Sequence, residues 1–86
     1  MSINERECEA AGLDPKEVAR ISRGISRYAK EARKLGLSIF GGSGTGTLRC
    51  QSGSHEGALV VADLQGDFDG GDGACREDED GLLRGE

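Results

Sequence analysis

The chain has 86 residues and a formal net charge of −5, with no Trp, one Tyr, two Phe and fifteen Gly. A chain this short buries only about 60–65% of its extended surface, which allows one small domain with a thin core drawn from Leu, Ile, Val and Ala. Such a core leaves little room for an enclosed catalytic pocket of about 300 Å³ or more, and no apolar run approaches the ~20 residues of a membrane span.

The charge is unevenly placed. Residues 15–35 carry seven Lys or Arg against two Glu, whereas residues 63–86 carry nine Asp or Glu against two Arg. A globally acidic protein is a poor starting point for nucleic-acid binding, although an acidic tail can compete with a polyanion for a basic surface. Cys8, Cys50 and Cys75 are odd in number and widely spaced, with no CxxC pair and only His55 as a nitrogen partner. That pattern implies neither a disulfide framework nor a zinc site. Reduced thiols are expected, with Cys8 and Cys50 as small core residues and Cys75 exposed. The N-terminus MSINERECEAAG lacks the apolar stretch of a signal peptide, so a soluble, cytoplasmic protein is expected.

In chain order, residues 3–11 read as a short first helix, with Asn4 or Ser2 as cap, Glu5 and Glu7 in the first turn and Gly12 as its end. The long helix follows. Asp14 supplies a cap, Pro15 suits the first helical position, Glu17 completes a capping-box spacing, and Gly36 after Lys34 closes the other end. Val18, Ile21, Ile25, Tyr28, Ala29, Ala32 and Leu35 gather on one face, which is expected to be buried. Lys16, Arg20, Arg23, Arg27, Lys30 and Lys34 fall within about 40° of one line almost opposite that stripe. This basic ridge is the candidate partner surface; the plain alternative is an ordinary solvated helix face, with Glu17 and Glu31 softening its field. A DNA-reading helix-turn-helix is not supported, because no third helix precedes Gly36.

After Gly36 the apolar period changes from helical to alternating. Residues 37–40 and 47–51 read as strands joined by the glycine-rich stretch 41–46, and residues 58–64, the most hydrophobic run, as the central or most buried strand. Gly41 and Gly46 have the separation of a phosphate-binding P-loop, but Thr47 stands where its lysine is required and no helix follows. The stretch is therefore read as a flexible hairpin loop, with Ser43, Gly44 and Thr45 as candidate contacts to an anion or partner surface. Residues 67–86 are rich in Gly, Asp and Glu and are expected to be disordered. Asp67, Asp69 and Asp72 fail the register of a calcium loop, whose sixth position needs Gly and whose twelfth needs Glu. His55 and Glu56 point to opposite sides of an extended chain, and no nucleophile is placed beside them. No catalytic, cofactor-binding or metal-binding residues are assigned, and an enzyme is not expected.

The run INERECEAAGLDPKEVARISRGISRYAKEARKLGLSIFGGSGTGTLR, followed by LVVADLQGDFDGGDG, resembles small hypothetical proteins of phages and prophages of proteobacteria. That family has no assigned activity, so the resemblance transfers no site residue; it implies a phage or prophage context and a binding or accessory role. The combined expectation is an α+β fold. Residues 1–66 would form a single domain of two helices, short then long, and a three-stranded antiparallel meander packed on the long helix, with 67–86 as its acidic tail. The expected function is non-catalytic binding of a macromolecular partner, first a protein. The alternative is a nucleic-acid-binding module using the basic face of residues 15–35, and self-association through the ridge or a sheet edge, giving a homodimer, is a third expectation.

Overall fold

In the computed structural model, residues 3–42, 44–51, 57–70 and 73–85 are described. They form α1 (Glu5–Ala10), α2 (Pro15–Lys34), β1 (Leu37–Gly42), β2 (Thr45–Gln51), β3 (Ala58–Leu64), β4 (Cys75–Glu77) and β5 (Leu83–Gly85). The chain divides into two compact units, Met1–Arg27 with Asp72–Glu86, and Tyr28–Gly71. The fold is α+β, with helices and a three-stranded antiparallel sheet.

The bounds of α2 follow from local chemistry. The Asp14 carboxylate accepts the Lys16 N–H at 2.9 Å, its carbonyl accepts the Val18 N–H at 3.1 Å, and Pro15 occupies a position whose N–H would have no partner. At the other end Gly36 takes φ +76°, a left-handed conformation that costs a side-chain-bearing residue about 1 kcal/mol or more. Asp14→Ala is expected to destabilise the helix by about 1 kcal/mol, read as a lowered urea midpoint, while Asp14→Ser retains most of the cap.

The first unit also contains α1 and the two-stranded ladder of β4 and β5. Cys8 on α1 is buried, and Gly12 (φ +73°) closes that helix as its N–H meets the Glu9 carbonyl. Two acidic residues here, Asp78 and Glu7, act as structural acceptors. Asp78 Oδ1 accepts the N–H groups of Asp80 and Leu82, Asp78 Oδ2 takes the Arg84 Nε–H, and Glu7 Oε2 accepts the Leu83 N–H at 2.9 Å. Arg6 donates to the Asp80 carbonyl at 2.9 Å. Within 67–86, expected to be disordered, residues 75–77 and 83–85 instead pair as a two-stranded hairpin, and the Asp78 carboxylate accepts backbone N–H groups of its turn.

The bond from Arg84, followed by those from Leu82 and Asp80, holds the Asp78 carboxyl below its ordinary value of 3.8. A carboxyl lowered on folding stabilises the folded form fully above its unfolded value, and that contribution is lost as pH falls through the lowered one. The β4–β5 hairpin is therefore expected to loosen below about pH 4, followed through the Asp80 and Leu82 amide resonances, and Asp78→Asn to weaken the same amides at neutral pH.

In the second unit the strand order is β1-β2-β3, antiparallel throughout. Residues paired directly across such a ladder share a face. Leu37, Cys50 and Leu59, then Ile39, Leu48 and Ala62, then Gly41, Gly46 and Leu64 make one apolar face. Ser38, Arg49 and Val60 share the other with Phe40, Thr47 and Asp63. There the Arg49 guanidinium lies 3.9 Å from the Phe40 ring centroid and its Nε donates to Thr47 Oγ1 at 3.1 Å, a stacked cation worth about 0.5–1 kcal/mol.

Two expectations are corrected by this sheet. The glycine-rich stretch is largely strand: Gly41 pairs with Gly46 and Gly42 with Thr45. The two glycines face Phe68, which returns to the sheet so closely that a carbon added to Gly46 would lie 2.7–2.8 Å from three ring atoms. Secondly, β3 is the outer strand rather than the most buried one, because the last strand of a meander has a neighbour on one side only. Leu59, Val60 and Val61 are exposed there, and Val61 is the extra residue at a bulge opposite Leu48 and Arg49. Along α2, side-chain exposure is uneven. Ala32 is buried, but Ile25 remains 62% and Leu35 75% exposed, with Ile21 and Tyr28 between these values and one half. The helix follows its own periodicity and caps whether or not a sheet covers it.

A candidate interaction surface on the long helix

Because α2 is one continuous helix, its side-chain rows follow from its own geometry. With a rise of 1.5 Å per residue, Lys16 and Lys34 stand about 27 Å apart along the axis, with a cation at every step of three or four residues between them. All six ridge residues, Lys16, Arg20, Arg23, Arg27, Lys30 and Lys34, are exposed. Arg20 Nε donates to Glu17 Oε2 at 2.8 Å, an i,i+3 ion pair with both side chains in solvent. Such exposed pairs contribute well under 1 kcal/mol, so Glu17 trims the field of the ridge without cancelling it.

The ridge stores repulsion. Neighbouring cations at i,i+3 and i,i+4 disfavour a helix by about 0.2–0.5 kcal/mol per pair, which over the successive neighbours of this row comes to about 1–2 kcal/mol. An anionic partner lying along the row would relieve it. Arg33 and Lys34 in the last turn favour the helix, since cations there oppose the negative end of the dipole.

The candidate loop contacts are placed differently. Ser43 lies outside the described residues, as do His55 and Glu56. Gly44 has φ +76° and donates its N–H to the Phe68 carbonyl at 2.9 Å, so this amide is already engaged within the chain; Thr45 begins β2 and is exposed. Among the described residues, no three His, Cys, Asp or Glu are grouped to hold a metal, and no helix is long and apolar enough to cross a membrane. An open groove of about 380 Å³ runs beside α1, lined by residues that include Glu7, Ala10, Leu82 and Arg84. Its carboxylate and guanidinium are held by Leu83 and Asp78.

No family model, curated protein or solved structure matches this chain.

Sequence reading located the ridge but missed three contacts. The Phe68 ring on Gly41 and Gly46 had a signal, since two glycines at matching positions of adjacent strands leave a hollow that a ring can fill. The stacking of Arg49 on Phe40 depends on register, which the alternating pattern alone leaves open. The Asp78 turn with its Arg84 partner was hidden in a composition typical of solvated tails.

Proposed function

We propose that the chain is a non-catalytic binding protein that meets a macromolecular partner, an acidic protein surface, through the basic face of α2. The observation that carries this reading is the row of six exposed cations on a single capped helix. A straight row of point charges suits a complementary acidic row on another protein, where electrostatic complementarity raises the association rate and selects the partner. The resemblance to small phage and prophage proteins is in keeping with an accessory role of this kind.

The second reading is a nucleic-acid contact, with Arg20, Arg23, Arg27, Lys30 and Lys34 on phosphates. The spacing of the row favours it. Against it stand the net charge of −5 and the position of Tyr28, on the face away from the ridge, where it cannot form a stacking platform beside the cations. Fluorescence anisotropy separates the two, using a labelled polyglutamate peptide, a labelled DNA duplex and a labelled single-stranded RNA at low and physiological salt. Binding to polyglutamate that matches or exceeds binding to the nucleic acids supports the protein reading. Tight nucleic-acid binding with a steep salt slope transfers the site to the second reading, and no binding to any of the three at low salt overturns the ridge as a contact surface.

A further inference from the structure

A single cation stands in the sheet of the second unit. Arg49, on the central strand β2, is half-buried; across the ladder it shares a face with Ser38 and Val60, and Phe40, Thr47 and Asp63 make the next row of that face. Asp63 lies on a diagonal that a long side chain can span, yet the guanidinium turns the other way, to 3.9 Å from the Phe40 ring centroid. Its Nε–H is given to Thr47 Oγ1 at 3.1 Å. Among the described residues, the N–H groups on its two Nη atoms meet no acceptor and no carboxylate. We propose that Arg49, backed by Phe40, is a carboxylate-binding site that takes the C-terminus of a partner peptide ending in an apolar residue. This inference is independent of what the ridge binds.

Charge and geometry together select a carboxylate. The ring fixes the plane of the guanidinium and Thr47 restrains its rotation, so little freedom is lost when the fork is engaged. Two parallel N–H···O bonds then match the two oxygens of a carboxylate. Strands β1, β2 and β3 hold one cation, Arg49, and one anion, Asp63. One guanidinium neutralises one negative charge, whereas a phosphate dianion would bring a second charge to a face that already carries Asp63.

The neighbours of Arg49 define the rest of the occupant. Phe40 on β1 is 47% exposed and Val60 on β3 is 56% exposed, so the cation sits between two open apolar side chains. A ligand whose carboxylate meets the fork therefore lays its adjoining atoms on apolar surface. At a chain terminus the carboxylate and the last side chain stand on the same carbon and arrive together. A glutamate side chain instead carries its carboxylate on a stem with no apolar side chain beside it. Capture of a terminal carboxylate is a recurring mode of peptide recognition.

The test follows the backbone amide and Arg49 Nε–H resonances of the isotope-labelled full chain. The probes are N-acetylphenylalanine, its uncharged amide N-acetylphenylalaninamide, and inorganic phosphate. The acid is expected to give saturable shifts at Arg49, Phe40 and Thr47 with a dissociation constant of about 1–10 mM, and the amide and phosphate to bind about tenfold more weakly or not at all. Arg49→Lys keeps the charge but removes the fork, so it should weaken binding of the acid by about tenfold or more, while Arg23→Glu on the ridge leaves it unchanged. Dispersion of the strand amides checks that both variants stay folded. An equal response to the amide or to phosphate, full binding by Arg49→Lys, or no shift at Arg49 with about 50 mM acid overturns the proposal.

Discussion

Replacing Gly46 by Ala is expected to destabilise the protein by about 1–2 kcal/mol, although alanine is ordinarily the better strand residue. Elsewhere in a strand the change would stabilise by up to about 0.5–1 kcal/mol through the unfolded chain. Here the added methyl would stand 2.7–2.8 Å from three ring carbons of Phe68, well inside van der Waals contact, so the ring must leave the sheet. The loss combines the burial of a partly covered Phe, about 1–2 kcal/mol, with the bond from the Gly44 N–H to the Phe68 carbonyl, about 0.5–1.5 kcal/mol. A fall in melting temperature of about 5–15 °C follows for a chain of this size. The double-mutant cycle is the sharper measurement. With Phe68→Ala already in place, Gly46→Ala should become neutral or mildly stabilising, giving an interaction energy of about 1 kcal/mol or more; purely additive effects would show that the ring does not rest on this glycine.

The second large effect concerns the ridge. Reversing Arg23, Arg27 and Lys30 to Glu changes the formal charge of the row from +6 to zero, because each reversal removes one positive charge and adds one negative. Binding of a polyanion through several contacts should weaken by about 100-fold or more, since each lost charged contact is worth about 1 kcal/mol or more and the new carboxylates repel the ligand. Glu is a good helix former, and Lys30→Glu stands four residues before Lys34 while the pairs 23/27 and 27/30 merely exchange one like-charge repulsion for another, so α2 should persist with little change in helicity by circular dichroism. Loss of binding with helicity retained isolates the charge. Equal affinity of the variant and the unaltered chain would show that the row is a solvated face.

How much of this was legible in the residues differs from element to element. The bounds of α2 were readable because Asp14, Pro15 and Gly36 act locally, through an Asx cap, a missing donor and a left-handed φ. The strands were readable from alternation, and their antiparallel order from short connections. What failed was any statement about which surface is covered. β3 was expected to be the best-buried strand, yet Leu59 and Val60 are exposed at the edge of its sheet. Periodicity reports that a face is apolar; it does not report what occupies it, and an intermolecular partner leaves the same pattern as an intramolecular core. The acidic stretch failed for a different reason. Composition counts carboxylates as solvated charge, whereas Asp78 and Glu7 here accept backbone N–H groups whose positions depend on the hairpin. For the candidate site, the row of cations was fully visible in the sequence because helical geometry alone sets it. The loop residues were not, because Gly44 is engaged by Phe68, twenty-four residues farther along the chain.

The most direct test of the central claim is a residue-level map of contact on α2. Amide chemical shifts of the isotope-labelled full chain would be followed while unlabelled polyglutamate is added at low salt. The account predicts shifts concentrated at Lys16, Arg20, Arg23, Arg27, Lys30 and Lys34, reversed by added salt, with little change at the apolar positions Ile21 and Ile25. Shifts centred on the sheet or the β4–β5 hairpin, or none along the ridge at saturating ligand, would contradict it.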